Sequence, residues 1–199
     1  MAAIVLGERF SVDAPVASVW DFLLDPRSVV GCVPGGVLGP ILDDRTFDGA
    51  VRVAVGPLTI AYAGRVRLDE VDPASRRVRI VGEARERAGP GAARLELVSS
   101  LCGPQAGPTE IEARMRLDVA GRIVELGRGA LERLGHVVFQ EFASAVRAAI
   151  EEGEARRRAG LPGAPARASP PLRAIPLVIR ALRAWLEALF AARLRARRH

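Results

Sequence analysis

Few side chains in this sequence have the type and spacing for covalent chemistry. All 29 basic residues are arginine and lysine is absent, which removes a Schiff base and the lysine of a P-loop. His136 is the single histidine of the first 150 residues. It sits in a helical pattern without a partnered nucleophile, where a histidine is a surface or packing residue. Ser99-Ser100 has neither a partnered histidine nor a G-x-S-x-G elbow. Cys32 and Cys102 are far apart and form no CxxC, so they make neither a zinc site nor a redox motif. Buried thiols are expected there, with a single disulfide as the other option. Asp43-Asp44 and Glu151-Glu152 read as solvated turns and helix ends, and no cluster has metal-ligand spacing. Gly35-Gly36 lies between a helix and a strand, so it does not open a phosphate-binding helix. No catalytic set, metal or cofactor is expected.

Tyr62 has more to offer. It is the only tyrosine, and strand parity places it on the dry face of a sheet. A phenol there could donate a hydrogen bond to a ligand carbonyl such as a quinone oxygen, or it could be a core tyrosine whose hydroxyl reaches backbone or water.

The elements that would position it follow from the hydrophobic period. Ile4–Val12 reads as a strand. Asp13 is placed as an N-cap before Ala14-Pro15, and Val16, Val19, Trp20, Leu23 and Leu24 then recur at helical spacing. Asp25-Pro26 ends that helix, and Arg27–Gly36 reads as a loop. From there to about residue 120 the period is two. Ile60, Tyr62, Gly64, Val66 and Leu68 alternate with Thr59, Ala61, Ala63, Arg65 and Arg67, and Ile111, Ala113, Met115, Leu117 and Val119 alternate with charged residues. This is an antiparallel sheet with one side in water. Breaks are expected at Asp48-Gly49, Gly56-Pro57, Asp72-Pro73, Gly89-Pro90-Gly91 and Gly103–Pro108. After Gly121 the helical period returns along Ile123, Leu126, Ala130, Leu131, Leu134, Val137, Val138 and Phe142, to about Glu152.

The fold class is therefore α+β. A sheet with one dry face needs a cover, and a single long helix supplies it. The dry face is mostly Val, Ala, Gly and Leu with few aromatics, so the space between sheet and helix is expected to be a cavity for an apolar molecule.

Charge divides the chain in two. Residues 1–150 carry 18 Arg against 19 Asp and Glu, a net of −1, whereas residues 151–199 carry 11 Arg against four Glu, a net of +7. The expected organisation is a domain over 1–152, a linker over 153–171 rich in Ala, Arg, Gly and Pro, and a basic amphipathic helix over 172–199. In that helix Ile175, Ile179, Leu182, Trp185, Leu186, Leu189 and Phe190 share one side. Arg180 and Arg183 interrupt the run, so it falls short of the roughly 20 apolar residues of a membrane span. Such a helix suits an anionic membrane surface; docking to a protein partner or packing on its own domain are the alternatives. Nucleic-acid binding is not expected. Met1–Leu6 runs into Glu8 and Arg9 rather than a long apolar stretch, so no signal peptide is read and a cytoplasmic location is expected.

Several stretches together resemble a known family. Phe10–Pro15, Val19–Pro26, Cys32-Val33-Pro34-Gly35, Val51–Pro57 and the long closing helix are similar to the CoxG family of carbon monoxide dehydrogenase proteins, within the START/Bet v1-like (SRPBCC) superfamily of helix-grip folds. The resemblance covers roughly residues 1–150, and it departs from the family pattern at Gly36-Val37-Leu38-Gly39-Pro40. It implies a curved sheet gripping a long C-terminal helix, an apolar cavity, and a role beside a membrane-associated molybdenum CO dehydrogenase or a related oxidoreductase. It also implies handling of a respiratory quinone, menaquinone or ubiquinone. The residues expected at the ligand are Tyr62, Val53 and Met115 of the sheet and Leu126, Leu134 and Val138 of the long helix, with Cys32 and Pro34 gating the mouth. The expected setting is the inner face of the cytoplasmic membrane. A ligand-free adaptor that tethers the enzyme, and an enzyme of the same superfamily, are the competing readings.

Overall fold

The computed structural model describes residues 1–55 and 58–161. Seven strands form one antiparallel sheet: β1 (Ala2–Val12), β2 (Gly36–Ile41), β3 (Thr46–Val55), β4 (Leu58–Asp72), β5 (Arg77–Glu86), β6 (Ala92–Cys102) and β7 (Thr109–Ala120). Their order across the sheet is β1-β7-β6-β5-β4-β3-β2, so only β1 crosses over, to pair with the last strand. The helices are α1 (Val16–Leu24), α2 (Pro26–Cys32) and α3 (Arg128–Arg158), with a 3-10 segment (Arg122–Leu126) between β7 and α3. This is the helix-grip α+β architecture, a curved sheet around a long C-terminal helix.

The alternation that defines the dry face holds across the register. One rung of cross-strand partners runs Ile4, Leu117, Leu95, Gly82, Val66, Phe47. The next runs Ala2, Val119, Ala93, Ala84, Gly64, Gly49. Glycine and alanine cluster across β3 to β6 on these rungs, at Gly49, Gly64, Gly82, Ala84 and Ala93. One core gathers Ile4, Leu6, Ile60, Tyr62, Ile123, Leu131 and Phe139 under α3. A second core gathers Val12, Val16, Val19, Cys32, Ile111, Val146 and Ile150 around α1 and the C-terminal half of α3.

The structure departs from the expected elements in four places. The stretch read as a loop after Asp25 contains α2. Asp25 caps it, accepting hydrogen bonds from the N–H groups of Arg27 (3.3 Å) and Ser28 (3.0 Å), and Pro26 occupies the first turn. The proline that ends α1 therefore begins α2, where its missing N–H costs nothing. Asp13 does not cap α1; Pro15 occupies the N-cap position, with no side-chain hydrogen bond to the helix. Residues 13–14 are held at the strand end instead: the Asp13 N–H donates to Glu151 and the Ala14 carbonyl accepts from the Thr109 hydroxyl at 2.8 Å.

Asp48-Gly49 is not a turn but lies inside β3. The chain reverses over residues 42–45, where the Asp43 carboxylate accepts the Arg45 N–H at 2.8 Å and locks the turn locally. Lastly, the closing helix begins at Arg128, because Gly127 at φ +81° breaks it from the 3-10 segment, and it continues through Gly153 to Arg158. The expected linker start at 153 thus falls inside α3. The Gly56-Pro57 turn and the amphipathic stretch from 172, with Ile175, Ile179, Arg180, Leu182, Arg183, Trp185, Leu186, Leu189 and Phe190, lie outside the described residues.

Candidate functional site

The space left by the small rungs lies under α2. It is a cavity of about 190 Å³. Its floor is Gly49, Gly64, Ala84 and Ala93 from one rung and Phe47, Val66, Gly82 and Leu95 from the next. Val30 of α2 and Val33 just beyond it form the roof, and Val51 and Tyr62 stand at one side. The lining is almost wholly hydrocarbon. Gly36 brings β2 against the roof: a Cβ there would lie 2.9 Å from the Val33 Cβ.

Tyr62 links this cavity to the core under α3. It is only 3% exposed, and its hydroxyl has no hydrogen-bond partner among the described residues. Burial raises its pKa above 10.0, and the nearby Glu86 carboxylate raises it further against the opposing pull of Arg122. The phenol is therefore a proton donor at neutral pH.

Glu86 is a charged residue on the dry face that the sequence reading passed over. It pairs with Tyr62 across β4 and β5, and its side chain is 1% exposed. Its carboxylate accepts hydrogen bonds from the Arg122 guanidinium, through Nε at 3.1 Å and through Nη2, and from the Gly91 N–H at 3.2 Å. The pair raises the Arg122 pKa, first by hydrogen bonding and then by charge. A buried carboxylate needs such partners. The fit is close, since a Cβ at Gly91 would lie 2.4 Å from Glu86 Oε2. Parity was the available signal, because Val78, Ile80, Gly82, Ala84 and Glu86 fall on one face of β5.

Of the residues expected at the ligand, the structure brings Tyr62 to this cavity. Val53 is half-buried further along β3, opposite Ile60. Met115 and Leu126 pack against the core under α3, and Leu134 and Val138 are half-buried on that helix. Cys32 is buried in the second core, and Pro34 is half-buried in the turn between α2 and β2, next to the roof residue Val33. Leu131 and Phe139 of α3 belong to the core below that helix, and the cavity described here sits below the shorter helix. His136 is exposed. Cys32 is buried, Cys102 is exposed, and no disulfide joins them.

A wider groove of about 1130 Å³ crosses the opposite, outer face of the sheet. Arg65, Glu83, Arg85, Arg94 and Asp118 line it beside apolar residues such as Val37, Leu38, Pro40 and Ala63. Among the described residues no helix is long and apolar enough to cross a membrane.

Solved structures share this fold at low identity. A conserved protein from Geobacillus kaustophilus is 16% identical, with 76% of this chain and 97% of that one covered and a TM-score of 0.66. The Zhui aromatase/cyclase from Streptomyces sp. R1128 is 17% identical, with 80% and 98% covered and a TM-score of 0.57. A START superfamily protein from Mycobacterium smegmatis is 12% identical, with 74% and 97% covered and a TM-score of 0.52. No curated protein matches the chain. The family model of the carbon monoxide dehydrogenase protein CoxG matches residues 8–151, most of the chain, and the chain belongs to that family.

Proposed function

We propose that this protein is a non-catalytic carrier that holds a quinone-like lipid, menaquinone or ubiquinone, and serves a membrane-associated molybdenum CO dehydrogenase or a related oxidoreductase. The observation that carries the reading is the apolar cavity between α2 and the glycine- and alanine-rich floor. Tyr62 supports it. A buried hydroxyl without a partner costs about 1–3 kcal/mol, and a ligand carbonyl would recover that cost. The volume of about 190 Å³ is smaller than the roughly 300–1,000 Å³ of sites that enclose a whole drug-sized ligand. The headgroup is therefore held, and an isoprenoid tail leaves past Val33 and Val37. Family membership supplies the link to CO dehydrogenase.

The basic stretch over 172–199 completes the proposal by resting on anionic lipid at the inner face of the membrane, where such molecules dissolve. Native mass spectrometry on the full chain purified from its own host, with lipid extraction, tests the carrier role. A co-purifying quinone is expected. A protein that carries no apolar molecule and has no affinity for added quinones refutes it. Sedimentation with vesicles containing anionic lipid tests the tail: loss of binding after removal of residues 172–199 is expected, and unchanged binding refutes that part.

A further inference from the structure

The outer face of the sheet is largely neutralised pair by pair. Arg65 pairs with Asp48, Arg67 and Arg79 with Asp69, Arg94 with Glu83, and Arg116 with Asp118. One place differs. Arg52, Arg85 and Arg87 are exposed, and among the described residues none of their guanidinium groups has an acidic or hydrogen-bonding partner. The register gathers all three. Arg52 of β3 stands opposite Ala61 of β4, Arg85 of β5 stands opposite Ala63, and the Arg87 N–H donates to the Ala61 carbonyl at 2.9 Å. Directly opposite residues are about 5 Å apart at Cβ, so the three arginines surround the two alanines within roughly 10 Å of one another. The nearest acids are engaged elsewhere, Glu83 with Arg94 and the buried Glu86 with Arg122. Like charges this close repel, and nothing in the domain relieves them. The row through Arg85 continues without charge, over Ala63 and Ala50 to Val37 of β2. Val37 is 63% exposed and borders both the outer groove and the apolar cavity.

We infer that this face, with Arg52, Arg85 and Arg87 at its centre and Val37 at its edge, is a second membrane contact that lies on anionic lipid headgroups and turns the cavity mouth toward the bilayer. The inference rests on the membrane part of the proposal above. Residues 1–150 carry a net charge of −1, so the domain as a whole has no attraction for an anionic surface and a contact must come from a local patch. Guanidinium groups bind phosphate in a bidentate fork, and a floor of alanine lets headgroups approach the arginines without obstruction. An exposed apolar residue beside arginines is the composition of an interfacial contact. An acidic protein surface would match the charge but would leave Val37, at the mouth, without a role.

The test is sedimentation of the full chain with phosphatidylcholine vesicles, with and without phosphatidylglycerol, at fixed ionic strength. It compares the wild type, the triple variant Arg52→Gln/Arg85→Gln/Arg87→Gln, and the control Arg9→Gln/Arg114→Gln/Arg116→Gln. The control removes the same charge from arginines paired with Glu112 and Asp118 on β1 and β7, at the far edge of the sheet. A thermal melt of each checks that the domain is folded. An arginine at an anionic surface is worth about fivefold in affinity, so the patch variant is expected to bind the anionic vesicles about a hundredfold more weakly. The control is expected to stay within about threefold of wild type, because its charges lie beyond a Debye length from the patch. Where the triple variant does not fold, the three single variants carry the test, each about fivefold weaker. Undiminished binding by folded patch variants overturns the inference and leaves an acidic protein surface as the counterpart of these arginines. An equal loss in the control also overturns it, since net charge alone would then explain the binding. Both results leave the contact through residues 172–199 standing. A wild type that does not bind the anionic vesicles overturns the membrane part of the proposed function itself.

Discussion

Replacing Tyr62 with phenylalanine should make the domain more stable and the ligand complex weaker. The ring is 3% exposed and its hydroxyl is buried without a partner among the described residues. An unsatisfied buried hydroxyl costs about 1–3 kcal/mol, so Tyr62→Phe should recover on the order of 1 kcal/mol or more in the ligand-free protein. In a domain of this size that corresponds to a rise in Tm of about 2–4 °C per kcal/mol. A bound ligand that accepts from the phenol reverses the balance. The net worth of such a hydrogen bond is about 0.5–1.5 kcal/mol, which makes the affinity of the phenylalanine variant about two- to tenfold weaker. Differential scanning calorimetry of both proteins, with and without a short-chain quinone at fixed concentration, reads both effects. The upward shift of the Tyr62 pKa by burial keeps the phenol protonated through neutral pH, so the stability gain should not vary between about pH 6 and 8. A phenylalanine variant that melts at or below the wild-type temperature would mean that the hydroxyl is satisfied in the free protein. A ligand-induced shift equal in both proteins would mean that the phenol makes no bond to the ligand.

The roof of the cavity depends on one cap. Asp25→Ala should cost about 1 kcal/mol by leaving two N–H groups of α2 unpaired, and quinone affinity should fall with it, measured by urea unfolding and titration in parallel. Thr109 is fully buried, and its hydroxyl donates to the Ala14 carbonyl at 2.8 Å; Thr109→Val should cost about 1–3 kcal/mol in urea unfolding with an unchanged slope. Glu154 has a pKa lowered below 4.5, chiefly by its hydrogen bond from Arg157, with the charges of Arg157 and Arg158 and the Ser18 hydroxyl assisting against desolvation. A depressed carboxylate pKa contributes stability above the unfolded value that is lost as pH falls through the folded one. The Tm difference between wild type and Glu154→Gln should therefore be constant above about pH 5 and shrink below about 4.5.

The sheet was legible because period two is a strong signal when one face is wet. The alternation of Ile60, Tyr62, Gly64, Val66 and Leu68 with charged or small residues assigned the dry face of β4, and the register carries that face across the sheet. The covering elements were harder to place. Periodicity reports which side of a strand is dry but not which helix lies over it, so the cavity was expected under the long helix. There Leu131, Phe139, Ile4 and Leu6 pack solidly. What locates the space is side-chain volume along the rungs, and the rungs are a product of pairing that no single strand displays. The low-volume positions Gly49, Gly64, Gly82, Ala84 and Ala93 come from four strands and meet only when the sheet forms.

The roof was missed for a different reason. Asp25-Pro26 stops one helix and starts the next, and the two roles use the same residues. Proline in the first turn and an aspartate whose carboxylate reaches two N–H groups are start signals as strong as the stop; Ser28, whose hydroxyl also donates to Asp25 at 2.5 Å, marks the same turn. Glu86 shows the converse case. Its parity on β5 was visible, but a carboxylate on a dry face has meaning only with its partners, and Arg122 lies 36 residues away in the 3-10 segment. Pairing them ties the β5–β6 turn to the segment that leads into α3, beside Tyr62. The polar end of the grip is thus built from β4, β5, the turn at Gly91 and the 3-10 segment, whereas the apolar cavity is built from the sheet and α2. Tyr62 borders both, lining the cavity and pairing with Glu86 across the strands, so that single tyrosine, legible from parity alone, is where the proposed carrier reading is tested most directly.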